Sequence, residues 1–237
     1  MTILEIVNQA LDRLSLPNVN SLESSTDAMS IQAKALGTQI GNRISLYKEW
    51  QKQLKYFEID IDASGGPVDE YALENIPSFE NLASLRLWDT SNNYKLDQSS
   101  LDRILFNRTN NYQETYKRFV YVDDKIVFSS PYNSDVKLLL YYKSKDFVKK
   151  TDTDGNVTFD KVFVNNTDEF ILEDELLIQG LVAALKKKDQ LQGWEVEEAD
   201  FQGLLQKYAA KDSQNFVVDF SNPWKSIRQE DNGYFFS

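Results

Sequence analysis

The strongest local pattern in the chain is a narrow apolar seam in its first quarter. The apolar residues of the seam follow one another in steps of four and three: Met29, Ala33, Leu36, Ile40, Ile44 and Tyr47. Such steps place side chains on one stripe of an α-helix, and a narrow stripe is typical of helices that pack against other helices. The seam therefore predicts a helix that ends near Gln53, with Ser25 or Thr26 as its N-cap.

Two glycines, Gly37 and Gly41, lie four residues apart in the middle of this predicted helix. One interpretation is a close crossing with another helix, which the missing side chains would permit. The other is that the helix tolerates two glycines at a cost of roughly 1 kcal/mol each. The sequence leaves both interpretations open.

Three further segments have the spacing of an amphipathic helix. The first stripe ends at Pro17 and consists of Ile3, Leu4, Val7, Leu11 and Leu14. The second ends at Gly193 and consists of Leu172, Leu176, Leu177, Leu181, Ala184 and Leu185, and the last consists of Phe201, Leu204, Leu205 and Tyr208. Because each helix has one apolar stripe to cover, we expect helices from the two ends of the chain to pack together.

Between these helices the apolar period changes from about 3.6 to two. Residues 57–62 alternate apolar and acidic side chains, as a half-buried strand does. Residues 119–128 predict a hairpin, Val136–Tyr142 predicts a buried strand, and residues 148–164 predict a second hairpin with an Asp-Gly turn. Short helical pieces are expected at 80–86 and 99–105, and a loop at 107–117.

Together these patterns predict an α+β fold made of a discontinuous helical bundle with an inserted β-rich domain and an extended C-terminal tail. Residues 1–55 and 168–213 form the two parts of the bundle. Residues 56–167 form the β-rich insertion, and residues 214–237 form a C-terminal docking tail.

The tail is the most unusual segment, because six aromatic residues lie in it without a regular period. They are Phe216, Phe220, Trp224, Tyr234, Phe235 and Phe236. The segment is too apolar for a free disordered tail. It either lies on its own subunit as a strap or docks onto another chain. Aromatic residues are frequent anchors of protein interfaces, which favours docking, so we take these six as candidate partner-docking residues.

Composition excludes several kinds of chemistry. The chain has no cysteine and no histidine, which rules out disulfides, zinc sites built on those residues, and His-based catalytic triads. The net charge of −11 argues against tight non-specific binding to DNA. Neither a secretory signal nor a membrane span is evident. We therefore predict no catalytic, cofactor-binding or metal-binding residues, and production in a reducing cytoplasm.

Four short motifs have a structural interpretation that we favour over a chemical one. The run 152–160 alternates oxygen-bearing residues but lacks the Gly and Glu that an EF-hand loop needs at positions six and twelve. The Ser-x-x-Lys strings at Ser45 and Ser134 lack the partner motifs of Ser–Lys enzymes. The acids at 195–200 suit a helix start, and Lys186–Lys188 suit a solvated helix end or an acidic partner.

Several segments resemble the head-to-tail adaptor proteins of tailed bacteriophages, the short-tailed ones especially. Residues 1–14 are similar to the first helix of that family, and residues 29–61 are similar to its long second helix and following strand. The hairpin at 119–128, the strand at 136–142 and the two closing helices also fit. The resemblance covers about residues 1–212, and the tail is longer than the usual ending of the family.

The resemblance implies a structural protein of the virion and gives no catalytic residue. Such adaptors form a ring, expected to be a dodecamer, beneath the portal protein, and they meet the tail nozzle or tail tube protein on the other side. The ring joins the head to the tail and surrounds the channel through which DNA passes. In this interpretation the acid excess would repel the phosphates, so that DNA passes without specific binding.

Two other functions remain as alternatives. One is a carboxylate-dependent cell-wall glycosidase carried by the virion, which would use a pair of the 37 acids. The other is a monomeric cytoplasmic binding module.

Overall fold

The computed structural model describes residues 1–23, 26–110, 112, 116–214, 227–230 and 233–236; for residues 81–85, 214, 227–230 and 233–236 only the backbone is described. Within this part of the chain there are five α-helices and twelve strands. The helices are α1 (Ile3–Arg13), α2 (Ala28–Tyr47), α3 (Leu101–Thr109), α4 (Asp174–Lys188) and α5 (Trp194–Gln214).

The strands fall into three sheets. Their bounds are β1 (Leu54–Ile61), β2 (Val68–Ala72), β3 (Phe79–Asp89), β4 (Tyr94–Gln98), β5 (Arg118–Val122), β6 (Lys125–Tyr132), β7 (Val136–Ser144), β8 (Val148–Thr151), β9 (Val157–Asp160), β10 (Glu169–Phe170), β11 (Ile227–Glu230) and β12 (Gly233–Phe236). The chain divides into two compact units, Leu54–Lys145 and the remainder.

The first unit, Met1–Gln53 with Asp146–Ser237, is built around helices from both ends of the chain. Buried residues of α1, α2, α4 and α5 belong to one hydrophobic core. Thr2 and Glu5 form a reciprocal capping box that starts α1. Three phenylalanines from the connecting segments, Phe147, Phe163 and Phe170, join the core with ring centroids 6.0–6.3 Å apart. The prediction that helices from the two ends pack together is confirmed.

This unit also contains a small three-stranded antiparallel sheet with the order β10–β8–β9. The strands β8 and β9 are the hairpin predicted at 148–164. Its turn contains Gly155 in the left-handed region, with φ of 84°, which glycine adopts without the steric cost of a Cβ.

The second unit, Leu54–Lys145, is a seven-stranded mixed sheet with the order β1–β7–β3–β4–β5–β6–β2. The only parallel pair among its described strands is β4–β5. One large core contains buried residues of β1, β3, β4, β5, β6 and β7. A smaller core lies beneath α3, where Ile104 packs with Val120 and Val127.

The predicted fold class, a discontinuous helical bundle with an inserted β-rich domain and an extended C-terminal tail, is wrong. The described part of the chain is strand-rich, and its largest element is the seven-stranded sheet. Strands β8–β10 lie in the same unit as four of the helices, and strands β11 and β12 within the predicted tail pair with each other. Periodicity indicates single strands, but it does not indicate pairings between distant ones, such as β1 with β7.

Several element boundaries also differ from the predictions. Asp27, not Ser25 or Thr26, is the N-cap of α2, since its carboxylate accepts a hydrogen bond from the Ser30 N–H. The helix ends at Tyr47, and residues 51–53 form a separate 3-10 turn. The segment 80–86 is part of strand β3, whereas the helical piece expected at 99–105 is present as α3.

The close helix crossing lies at Gly180, and not at Gly37 or Gly41, for which a crossing was one of two interpretations. A Cβ on Gly180 of α4 would lie 2.4 Å from Ile40 Cγ2 of α2. A Cβ on Gly41 would meet the Phe147 ring at 2.6 Å, and one on Gly37 would make an ordinary 3.4 Å contact with Ile3 of α1. Of these two glycines, Gly41 is therefore required for packing of the Phe147 ring, not for a helix crossing.

Candidate assembly surfaces

Helix α3 is held firmly on the β5–β6 face of its sheet. The Ser100 side chain caps its start, and Ile104 is fully buried. At its end, Arg108 donates hydrogen bonds to the carbonyl oxygens of Phe128 and Asp69, and it forms an ion pair with the Asp69 carboxylate. These contacts fix which side of the helix faces outward.

The outward side of α3 carries large apolar side chains beside the exposed Asp102 and Arg103. Leu105 and Phe106 are 50% and 64% exposed, and Leu101, one turn earlier, is exposed as well. The exposed Tyr112 follows the helix, with its N–H bonded to the Asn107 carbonyl oxygen at 2.8 Å. We call Leu101, Leu105, Phe106 and Tyr112 the α3 surface. Grouped exposed apolar side chains of this kind mark interaction sites.

A second group of exposed apolar side chains lies on β9 and in the segment just after it. Val157 is 47% exposed, and Phe159, Val162 and Val164 are exposed too. Strand β9 is the last strand of its sheet in the described part of the chain. We call the outer side of Val157–Asp160 the β9 edge.

The edges of the larger sheet have a different character. The outer strand β1 presents Glu58 and Asp60, and the outer strand β2 presents Asp69 and Glu70, all exposed. Charged residues on edge strands prevent pairing with other chains. The β9 edge carries the apolar Val157 and Phe159, and its single acid, Asp160, pairs with Lys150 of β8, so it is the better candidate for strand addition.

The predicted docking residues are only partly within the described chain. Phe216, Phe220 and Trp224 lie outside the described residues. Tyr234, Phe235 and Phe236 are on β12, whose backbone pairs with β11, and their side chains also lie outside the description. Their role in docking therefore stays a prediction.

The end of α5, which directly precedes the tail, is bound by residues that follow α2. Lys48 Nζ binds the last turn of α5 at the Ala209 carbonyl oxygen (2.9 Å), Ser213 Oγ (2.8 Å) and Asp212 Oδ2 (2.8 Å). The Gln51 amide donates to the Asp212 carbonyl oxygen at 2.6 Å. A cation at these carbonyls complements the negative end of the helix dipole.

The acids considered for metal or enzyme chemistry take part in structural contacts. Asp152 closes the β8–β9 turn, and hydrogen bonding to the Asn156 side chain lowers its pKa. Hydrogen bonds from Lys186 and Arg43 likewise lower the pKa values of Glu197 and Glu198. A glycosidase acid needs a raised pKa, so these three carboxylates are unsuited to that role.

The lysine triplet and the Ser-x-x-Lys string at Ser45 also have structural partners. Lys186 pairs with Glu197, and the Lys187 ammonium lies 5.0 Å from the centroid of the Trp194 ring. The buried Ser45 hydroxyl accepts a hydrogen bond from Gln53, whereas Lys48 binds α5 as described above. Ser45 and Lys48 therefore serve separate contacts.

A polar cluster lies at the β3–β4 turn of the second unit. Asp89 is fully buried and accepts hydrogen bonds from Asn92 and from the Tyr132 hydroxyl. The Lys117 ammonium donates to the carbonyl oxygens of Ser130 and Pro131. Burial raises the pKa of Tyr132 and lowers that of Lys117. Since each polar group is held by backbone or turn contacts, the cluster stabilises the turn.

Comparison with known proteins gives no family assignment: no protein-family model matches the chain, and no curated protein matches its sequence. Among the described residues, no group of three or more Asp and Glu side chains is placed to hold a metal ion. None of the helices in the described part is long and apolar enough to cross a membrane.

Sequence reasoning missed both exposed apolar surfaces. On α3, the adjacent apolar residues Leu105 and Phe106 are exposed, whereas Ile104 and Asn107 are buried. The sequence did contain a signal of this surface. The nine-residue helix has more apolar residues than its inward face can hold. In β9, Val157 and Phe159 alternate with polar residues, and alternation predicts which residues share a face but not whether that face is covered.

Proposed function

We propose that the protein is a ring-forming structural subunit of a phage particle, a head-to-tail adaptor that binds beneath the portal protein. The observation that carries the proposal is the α3 surface. A rigidly held helix presents large apolar side chains outward, and that arrangement is typical of a surface that a partner covers.

Two unlike exposed surfaces support assembly into a ring in particular. The α3 surface is helical, whereas the β9 edge is the open side of a strand. A dimer with twofold symmetry uses one surface twice. A head-to-tail contact joins two different surfaces and closes into a ring when the rotation permits. The expected ring is a dodecamer, as the resemblance to the adaptor family implies.

The charge of the chain supports passage of DNA through such a ring without binding. A net charge of −11 repels the phosphate backbone, so the ring would surround DNA without holding it. The proposed contacts of the ring are the portal protein on one side and the tail nozzle or tail tube protein on the other.

The test combines the purified protein with its portal and follows assembly by electron microscopy and sedimentation velocity. We expect a ring on the portal. A protein that stays monomeric and leaves the portal bare would contradict the proposal, and release of soluble sugars from peptidoglycan would support the glycosidase alternative instead.

Substitutions on α3 test the observation that carries the proposal. Changing Leu105 and Phe106 to Lys places two charges in the proposed contact, so we expect ring formation to fall at least tenfold while the melting temperature stays close to that of the wild type. The matched control is Ile31→Lys, at an exposed apolar position on α2, which should assemble normally. Equal assembly of both variants would show that α3 is not in the contact.

A further inference from the structure

The backbone of the β9 edge is arranged to accept another strand. The Asp152 N–H bonds to the Asn156 carbonyl oxygen at 3.0 Å, and residues pair in the register Thr151 with Val157 and Lys150 with Thr158. Hydrogen-bonded pairs alternate along an antiparallel ladder. Thr158 therefore bonds to β8, and Val157 directs its N–H and C=O toward the open side.

The C-terminal hairpin, β11–β12, would be stabilised by pairing with a further strand. Strands β11 and β12 form a sheet of two strands, with no third strand paired to them in the described part of the chain. A hairpin of two four-residue strands is at most marginally stable in water, and it gains stability from a third strand or from packing. The sequence of β12 is also strongly aromatic, with Tyr234, Phe235 and Phe236 in succession.

We propose that the β9 edge of one copy accepts the β11–β12 hairpin of a neighbouring copy, forming one continuous sheet across the two subunits. Main-chain hydrogen bonds would supply affinity, and the exposed Val157 would supply apolar contact. This inference rests on the proposed assembly of like copies and adds a specific contact to it.

The occupant is a second copy for two reasons. First, within one chain β9 and the hairpin belong to separate sheets, and the connecting residues 215–226 can span up to about 40 Å, far enough to reach a neighbour. Second, each copy contributes one acceptor edge and one donor hairpin. A closed ring then leaves no edge and no hairpin without its counterpart.

Cross-linking between single-cysteine variants tests the contact directly, because the chain has no cysteine of its own. One partner carries Val157→Cys, and the other carries Tyr234→Cys or Phe235→Cys, which sample adjacent positions of β12. The full-length variants are mixed under assembly conditions, with portal present, and oxidised. Asp60→Cys, on the acidic outer strand β1, is the matched control for a strand edge.

We expect a disulfide-linked dimer between Val157→Cys and at least one tail variant, and at least tenfold less product with Asp60→Cys. Rings that form without the cross-link would overturn this inference and leave the proposed function standing. Absence of rings by sedimentation would overturn both. A variant carrying both cysteines that cross-links only within one chain, even in assembled rings, would also overturn it.

A proline substitution separates the backbone contact from the side-chain contact. Val157→Pro removes an outward-facing N–H while leaving the bonds between β8 and β9 in place, and edge strands tolerate proline in that orientation. Val157→Thr keeps the N–H and the shape. We expect the proline variant, and not the threonine variant, to lose tail binding at an unchanged melting temperature. Equal binding by both would contradict strand addition.

Discussion

At the scale of single residues, the absence of a side chain on Gly180 allows α2 and α4 to approach closely. A Cβ there would lie 2.4 Å from Ile40 Cγ2 and 3.1 Å from the Phe201 ring, all in the core of the first unit. Both neighbours are buried, so they have little room to move away. At Gly180, the close packing of α2 on α4 therefore requires glycine, although glycine has a low helix propensity.

We predict that Gly180→Ala lowers the free energy of unfolding by about 1–3 kcal/mol, the usual cost of overpacking a core. Urea denaturation followed by circular dichroism measures it. The matched control is Gly203→Ala on α5, where a Cβ would meet nothing within 4 Å. That change should stabilise the protein by about 0.5–1 kcal/mol through helix propensity. If the two variants were equally stable, the close crossing would not exist.

Glu197 provides a second residue whose effect can be measured, because it links three helices. Its carboxylate pairs with Lys186 and accepts from Gln179, whose side-chain oxygen in turn accepts from Arg13 of α1. The hydrogen bond from Lys186 holds the pKa of Glu197 below its usual range. Since the pKa is lower in the folded protein than in the unfolded chain, the carboxylate stabilises the fold above the unfolded pKa, near 4.3.

We predict that Glu197→Gln costs roughly 1 kcal/mol at pH 7, as is usual for partly exposed ion pairs. The difference from the wild type should shrink below about pH 4, as the carboxyl group is protonated through its folded pKa. Denaturation at pH 7 and pH 3 measures both values. The exposed Glu195→Gln, on the same helix, should stay within about 0.5 kcal/mol of the wild type at either pH. A difference in the free energy of unfolding that increases at low pH would contradict the prediction.

At the scale of elements, the last turn of α5 is the fixed base of the C-terminal tail. Lys48 and Gln51, which follow α2, bind the end of α5 through Ala209, Asp212 and Ser213. A tail that docks onto a neighbour benefits from a rigid base, since less conformational freedom is then lost on binding.

We predict that Lys48→Met increases hydrogen exchange of the amides at 209–213 by about tenfold, a change equivalent to roughly 1.4 kcal/mol of local stability, because the charge-assisted hydrogen bonds are lost. Exchange followed by mass spectrometry reports it. Lys207→Met, at an exposed position of the same helix, serves as the control and should leave exchange unchanged. Equal exchange in both variants would mean that Lys48 does not hold the end of α5.

The elements also show how far sequence reasoning reached. Helix α1 was predicted with nearly its true bounds, because one apolar stripe and one proline define it. The segment 80–86 was predicted as a helical piece, but it is part of strand β3. The alternation typical of a strand is seen in the structure at Leu87, which is buried between the less buried Arg86 and Trp88. That alternation begins where the predicted piece ended. The pairing of Leu87 with Leu140 of β7 then decides the conformation, and this contact is distant in sequence.

At the scale of the whole molecule, the sequence indicated local structure better than architecture. The strand order of the larger sheet places β7 between β1 and β3, and β4 beside β5 in parallel. The hydrophobic period of a segment predicts none of these strand pairings. The candidate surfaces were missed for a related reason: whether Phe106 or Val157 is exposed depends on what the rest of the fold covers. The aromatic tail was recognised because its composition alone is unusual.

The same tail leads to a prediction for the whole protein. Deletion of residues 214–237 removes the predicted docking aromatics and the β11–β12 hairpin. The core of the first unit, as far as side chains are described (to residue 213), extends to Tyr208 and Ala209. If the tail docks onto another chain, the truncated protein keeps these core residues, and we expect it to melt within about 2 °C of the full chain. We expect it to fail to form rings on the portal at concentrations where the full chain does, as sedimentation velocity would show.

Two further observations make this result specific to the tail. A truncated protein that carries an intact β9 edge should still bind the tail of full-length copies, so it should enter mixed rings and, in excess, end their growth. A loss of melting temperature well beyond 2 °C would instead indicate that the tail is a strap on its own subunit. Unchanged assembly with the portal would exclude the tail from the contact, and the α3 surface would then have to supply it.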